Sequence, residues 1–432
     1  MSTPPVDRRT LMQASAAVAA GAWMVSSARA QETPSKDAAK KLDPIRVGLV
    51  GCGGRGTGAA MNALDADSGV VITAMGDCLA DRLSSSLTAL KTDYGDRVRV
   101  DPANQFVGFD ATEKVLASGI DVVLLATPPH WRPAQIAASV AAGKHVFAEK
   151  PMGVDAPGVR SITESCKVAR EKKLSVMSGF CWRSSLPERA IYQKIHEGAI
   201  GAIRTVYATY NGSPNAFVER KPSMSDTEWQ IRNWYHYLWL GGDHIVEQAC
   251  HSVDKINWAM NNEAPLKCWA VGGRAQRSDT HPGNIFDHFS VTYEYSGNRR
   301  AFLLARQWEN CPNDNTDWVY GEKGIARING WGPEHWIQGE TNWRYQGETP
   351  DMYLHEHQEF FAGIRSGKHR FDADWMTQST LMAIMGRMAA YTGQAITWEQ
   401  VLASTERHGP TEYAMGPLTT SAVPRPGHTK YL

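Results

Sequence analysis

The sequence predicts an α/β chain in two parts: an N-terminal domain on a parallel sheet covered by helices on both faces, and a C-terminal α+β domain with a large open, mainly antiparallel sheet. Three observations predict it. Up to Pro151, short apolar runs of strand length alternate with helical stretches, the pattern of strands buried on both faces. Beyond it, longer strands alternate polar and apolar residues, as a sheet with one covered face does. The 432 residues also suffice for two domains that each bury a core.

Taken in order, Asp7-Arg8-Arg9-Thr10-Leu11-Met12 precedes an uncharged, alanine-rich run from Ala14 to Ala28 and an Ala28-Arg29-Ala30 cleavage signal. Residues 1–30 therefore read as a signal peptide. The apolar run is too short for a permanent bilayer anchor. Paired arginines ahead of a mildly apolar stretch point to twin-arginine export and a periplasmic or otherwise exported bacterial protein, although Asp7 stands where Ser or Thr is more usual. Residues 31–43 are a polar linker.

A domain over residues 44–151 follows, with strands at Ile45–Val50, Val70–Met75, Val122–Ala126 and Val146–Ala148 and helices at Thr57–Ala66 and Ala134–Ala142. The second domain spans 152–404. It opens with a helix at Ala156–Lys172 that leads to Ser175–Gly179. Alternating strands lie at Ile203–Tyr210, His288–Tyr295 and Arg300–Gln307. An amphipathic helix, Thr377–Tyr391, is placed to pack back on the first domain. Residues 405–432, rich in Pro, Gly and Thr, form an extended tail.

Forty-five basic residues balance 45 acidic ones, so nothing draws the chain to nucleic acid or an anionic membrane, and a small-molecule partner is expected. Seven cysteines without a C-x-x-C pair signal neither a zinc knuckle nor a disulfide framework.

Between the first strand and helix, Gly51, Gly53 and Gly56 form G-x-G-x-x-G, with Gly54 and Arg55 inside it. The first glycine permits the tight turn, the second admits a pyrophosphate to the backbone, and the third lets helix and strand pack closely. Free amides at the helix start hold phosphate charge. The second strand ends in Asp77, where an acid accepts hydrogen bonds from adenosine ribose hydroxyls and repels a 2′-phosphate. A Rossmann dinucleotide-binding domain is expected, with NAD favoured over NADP and Arg82 softening that preference.

The glycine loop, Ala126-Thr127-Pro128-Pro129 and above all Glu149-Lys150-Pro151 resemble the Gfo/Idh/MocA family, relatives of glucose-fructose oxidoreductase and inositol dehydrogenase. The resemblance runs from about Ile45 to about Ser404. It implies an active site between the two domains, a cis Lys150–Pro151 bond, Thr127, Pro128, His130, Trp131 and Glu149 at the cofactor, and a homo-oligomer.

Moving hydride from a secondary alcohol requires the hydroxyl proton to leave, so a general base must lie within reach of that oxygen. Lys150, desolvated beside a positive nicotinamide, is expected to titrate near neutral pH. Relatives carry an Asp four residues before a His; here the pair is Glu247 and His251. Spacing of four puts both on one helix face, where Glu247 would orient His251 as a relay partner of Lys150. His244, Glu247 and His251 share that face as well, but relatives work without metal and no further ligand is evident, so none is expected. Arg132 departs from the second histidine common in relatives.

Trp182-Arg183, Trp229, Trp234-Tyr235, Trp239 and the Asp243-His244 pair gather around this segment, and aromatic rings offer a platform for the C–H face of a sugar. The expected substrate is a carbohydrate or polyol, with Trp182, Arg183, Trp234, Tyr235, Asp243 and His244 at its pocket. His355 and His357 lie two apart and read as structural.

The leading expectation is an NAD-dependent oxidoreductase acting on a sugar, glycoside or cyclitol, its cofactor tightly bound. The alternative is a redox-neutral NAD-dependent glycosidase working by transient oxidation at C3 and elimination; such enzymes commonly lack the Glu-Lys-Pro lysine. A third is a non-catalytic periplasmic sugar-binding protein, against which the intact Lys150 and His251 count.

Overall fold

The computed structural model describes residues 42–278 and 280–430. The leader read at 1–30 and nearly all of the linker lie outside the described residues. Six parallel strands form the first sheet: β1 (Ile45–Val50), β2 (Val70–Asp77), β3 (Gln105–Val107), β4 (Val122–Leu125), β5 (His145–Ala148) and β6 (Val176–Ser178), in spatial order β3-β2-β1-β4-β5-β6. The connecting helices are α1 (Gly54–Ala66), α2 (Ala80–Tyr94), α3 (Ala111–Ala117), α4 (Arg132–Ala141) and α5 (Ala156–Glu171). β4 and residues 47–50 of β1 are buried throughout, as their unbroken run without a polar side chain requires, while Arg46 is exposed. The order reverses between β1 and β4, and there the strand ends open a crevice. β6 pairs with β5 and so extends this sheet past residue 151, where the sequence suggested a boundary.

The second half runs through α6 (Leu186–His196), β7 (Ile203–Gly212), α7 (Asp226–Arg232), α8 (Leu238–Gly241), α9 (His244–Glu247) and α10 (Cys250–Ala259). Strands β8 (Lys267–Gly273), β9 (His288–Glu294), β10 (Arg300–Gln307), β11 (Thr316–Gly321), β12 (Gly324–Asn329), β13 (Trp336–Gly339) and β14 (Trp343–Arg344) follow. The chain closes with α11 (Met352–Ser366), α12 (Ala373–Thr392), β15 (Ile396–Thr397) and α13 (Trp398–Ala403). The second sheet is ordered β14-β13-β12-β11-β7-β10-β9-β8-β15, antiparallel except where β7 meets β10. Alternate residues of β10, Ala301, Leu303 and Ala305, enter the core, while Leu304 is exposed on the other face.

One expectation changes here. The helix expected to be amphipathic runs from 373 to 392 and is buried nearly all round. It lies between α5, α10 and the covered face of β8, so beyond its first turns, where Asp374 is exposed, almost none of it meets solvent. Arg387, 1% exposed, donates from it to the carbonyls of Val154 (2.7 Å) and Gly242 (3.0 Å), tying the two halves together. Among the described residues, no helix is long and apolar enough to cross a membrane. All seven cysteines are free.

A charged cluster lies inside this core. Lys255 on α10 is fully buried, paired with Asp317 of β11, 3.9 Å from Glu188 and 4.0 Å above the Trp182 ring. Burial pushes the Asp317 carboxyl up to about 6, with Lys255 opposing. Removing one partner of such a pair strands the other charge in the interior. Lys255→Ala is expected to cost about 3–5 kcal/mol, read as a lowered urea midpoint of the dinucleotide-free chain.

Candidate active site

The glycine loop opens onto a cavity of about 310 Å³. Gly51 has φ +94°, and a Cβ there would stand 2.6 Å from the Ala126 backbone. A Cβ on Gly56 would fall 1.8 Å from the Gly51 carbonyl oxygen, so only glycine lets α1 start this close to β1. Around Gly53 and Gly54, by contrast, a Cβ would meet nothing within 4 Å. α1 begins at Gly54 without a side-chain cap, which leaves its first amides without intrahelical acceptors at the cavity floor.

Asp77 lines the same cavity, its carboxylate fixed by the amides of Cys52 (2.7 Å) and Leu79 (2.9 Å). Thr127 and Pro128 line it from the end of β4, with Trp131 beside them and Trp234 and Tyr235 facing from the second half. Uncapped helix amides, an acid at the end of β2 and a long apolar-walled trough fit a pyrophosphate, a ribose and flat rings.

A second cavity of about 230 Å³ adjoins the first, sharing Arg55, Ala126, Thr127, Trp234 and Tyr235. Lys150 and Glu149 enter it from the end of β5, Glu247 from α9, His251 from α10 and Tyr210 from β7. The Lys150–Pro151 bond is cis. The Lys150 amine donates to the Glu247 carbonyl (2.5 Å) and to its carboxylate (3.0 Å). Burial alone lowers the amine, but the Glu247 carboxylate outweighs it and holds the amine above the ordinary lysine range. The near-neutral amine expected from sequence is thus corrected, because its partner is an anion. Burial in turn pushes the Glu247 carboxyl up, with Lys150 opposing.

The expected relay is corrected as well. α9 ends at Glu247 and α10 begins at Cys250, with the amides of Gln248 and Ala249 both bonded to the His244 carbonyl at 2.9 Å. Across that break Glu247 turns to Lys150. His251 instead packs 5.0 Å from Trp182 and 6.0 Å from Phe180, its Nδ1 buried without a partner. Burial, with Lys150 and Lys255 nearby, holds its imidazole well below its ordinary value, so it is neutral.

Trp182, Arg183, Asp243, His244 and His130, all expected at the site, line neither cavity. Trp182, 1% exposed, backs His251 from the layer behind. Arg183 is held by Asp254 through two bonds of 2.8 Å. Asp243 is fully buried and accepts from the amides of His244 (2.5 Å) and Phe286 (2.8 Å) and from the Tyr391 hydroxyl (2.5 Å), which fixes the turn into α9. His244 packs on Phe289, at 5.0 Å. His130 points to Trp239 and Tyr413. Arg55 pairs with Glu149 at 2.7 Å and lies over the Tyr353 ring. Among the described residues no three His, Cys, Asp or Glu side chains gather as a metal site.

Sequence reasoning missed Tyr210, Gln248, Trp331 and Tyr353 in the smaller cavity, and Phe109 and Tyr413 in the larger. It noted Arg132 only as a departure. That guanidinium, 1% exposed, donates to the carbonyls of Thr127 and Pro151, both at 2.5 Å, and so joins the two strand-end loops.

The model of an oxidoreductase family with an NAD-binding Rossmann fold matches residues 45–180, and that of the GFO/IDH/MocA C-terminal domain matches 189–327. The chain belongs to the Gfo/Idh/MocA oxidoreductase family. Among its relatives, the chain is 23% identical to an inositol 2-dehydrogenase of Rhizobium meliloti over 75% of this chain and 89% of that one. It is 29% identical to a glycosyl hydrolase family 109 protein of Shewanella amazonensis over 75% of this chain and 66% of the relative. In fold, this Gfo/Idh/MocA chain is similar to a levoglucosan dehydrogenase solved with NADH and levoglucosan, with a TM-score of 0.66 at 16% identity, over 82% of this chain and 99% of that one. It spans 61% of the length of another curated relative, an uncharacterized oxidoreductase of Streptococcus pneumoniae.

Glu247→Gln removes the charge that raises the Lys150 amine and leaves its burial in place. Followed in the direction of carbonyl reduction, where a protonated Lys150 is required, the alkaline limb of the pH profile of kcat/KM is then expected to move about one unit or more toward neutrality, with the melting temperature as the control for folding.

Proposed function

We propose that the chain is an NAD-dependent oxidoreductase that moves hydride between the dinucleotide and a secondary hydroxyl carbon of a sugar, glycoside or cyclitol. One observation carries this reading: the Lys150 amine stands in the smaller cavity, beside Thr127 and Tyr235, which also wall the trough over the glycine loop. A bound nicotinamide dinucleotide supplies the hydride acceptor in oxidation and the hydride donor in reduction. Gly53, Gly54 and the first amides of α1 would hold its phosphates, and Asp77 its ribose.

The chain's own residues handle the proton. As an ammonium, Lys150 donates to the carbonyl oxygen during reduction. In oxidation it must first lose that proton, and the Glu247 carboxylate at 3.0 Å is the acceptor within reach, with its second oxygen buried and unpartnered. Neutral His251 serves as a hydrogen-bond partner for a substrate hydroxyl. Tyr210, Trp234, Tyr235 and Trp331 offer faces to sugar C–H bonds. The leader read at residues 1–30 supports export, and with it a dinucleotide that stays bound through turnover.

The Shewanella relative's name favours a second reading, a redox-neutral glycosidase in which oxidation at C3 acidifies C2–H and permits elimination. Purified chain, denatured, is expected to release NAD(H). Incubation with a panel of glycosides is expected to change absorbance at 340 nm; aglycone release with no such change supports the glycosidase instead, and a chain that neither contains nor binds nucleotide overturns both. Lys150→Met is expected to lose about 10²–10⁴ in kcat while NADH titration by fluorescence is little changed. The same titration is expected to favour NADH over NADPH by about tenfold or more, because Asp77 repels a 2′-phosphate.

A further inference from the structure

The outer wall of the larger cavity comes in part from the C-terminal tail. After α13 the chain returns along the crevice, with the His408 amide donating to Asp155 (3.2 Å). Gly409, at φ +102°, passes so close to His130 that a Cβ would lie 2.6 Å from its ring. Tyr413 then reaches the cavity. Its hydroxyl is hydrogen-bonded to His130 Nε2 at 2.6 Å, and its ring stands 5.8 Å from Phe109 and 5.9 Å from Trp131.

Beyond it the tail is sewn onto α7. The Gly416 carbonyl accepts from the Thr227 amide (3.1 Å), the Leu418 amide donates to Asp226 (3.1 Å) and the Leu418 carbonyl accepts from Gln230 (2.8 Å). α7 is itself tied across the crevice, Arg232 to Asp81 of α2 at 2.9 and 3.0 Å. Ile231 of α7 and Tyr413 of the tail both line the cavity.

We propose that Tyr413 is a further dinucleotide-binding residue and that the tail, joined to α7, clasps the bound dinucleotide and slows its release. This rests on the reading of the larger cavity as the dinucleotide site. Burial lowers the His130 imidazole to about 4, so the histidine stays neutral and its bond to the Tyr413 hydroxyl persists across the physiological range. For the dinucleotide to leave outward, this bond and the aromatic contacts around it must open together.

The test loads the chain with NADH and chases it with excess NAD, following the fluorescence lost on release. Tyr413→Phe, which loses only the hydroxyl bond, is expected to release NADH about threefold faster, and Tyr413→Ala about tenfold or more. Melting curves of the nucleotide-free variants check folding; should Tyr413→Ala fail it, Tyr413→Phe decides. Release rates equal to that of the parent chain overturn the clasp and leave the dinucleotide reading standing. A parent chain that takes up no NADH overturns both.

Discussion

The site depends on one buried ion pair, Lys150 with Glu247, because each half of the molecule supplies one member. The side chains are 14% and 5% exposed, so the cost of stripping water from both charges offsets much of their attraction, and the value of the pair lies in placement rather than net stability. Placement is enforced from both sides. Arg132 joins the carbonyls of Thr127 and Pro151 and so fixes the loop that carries the amine. Asp243, held by Phe286 and Tyr391, fixes the turn that delivers Glu247. A lysine alone at a strand end would be mobile; here its distance from the cavity over the glycine loop is set by two independent anchors.

The glycine loop and its neighbours were legible because their meaning is local. Gly51, Gly53 and Gly56 sit between a strand and a helix that their own sequence specifies, and Asp77 follows at the end of the next strand. Lys150 was legible from its flanking residues. What failed was the extrapolation of helical spacing from Glu247 to His251, since that rule presumes an unbroken helix. The chain breaks at Gln248 and Ala249, and a carboxylate there is drawn to the ammonium.

Tyr210, Trp331, Tyr353 and Tyr413 carried no comparable signal. They come from four separate stretches and meet at the cavities only through the path of the second sheet, α11 and the tail. Trp182 and Arg183 misled for the opposite reason. Their composition suits a sugar pocket, but Lys255 beneath the indole and Asp254 beside the guanidinium draw both into the layer that supports His251.

Trp234 and Tyr235, stacked at 3.8 Å, form a partition common to both chambers. Reshaping that partition to admit a different guest on one side disturbs the grip on the other. Gln248 and Trp331 border the smaller chamber alone. Divergence in shape is therefore least constrained at that far wall, where the smaller chamber can be remodelled without touching the one over the glycine loop.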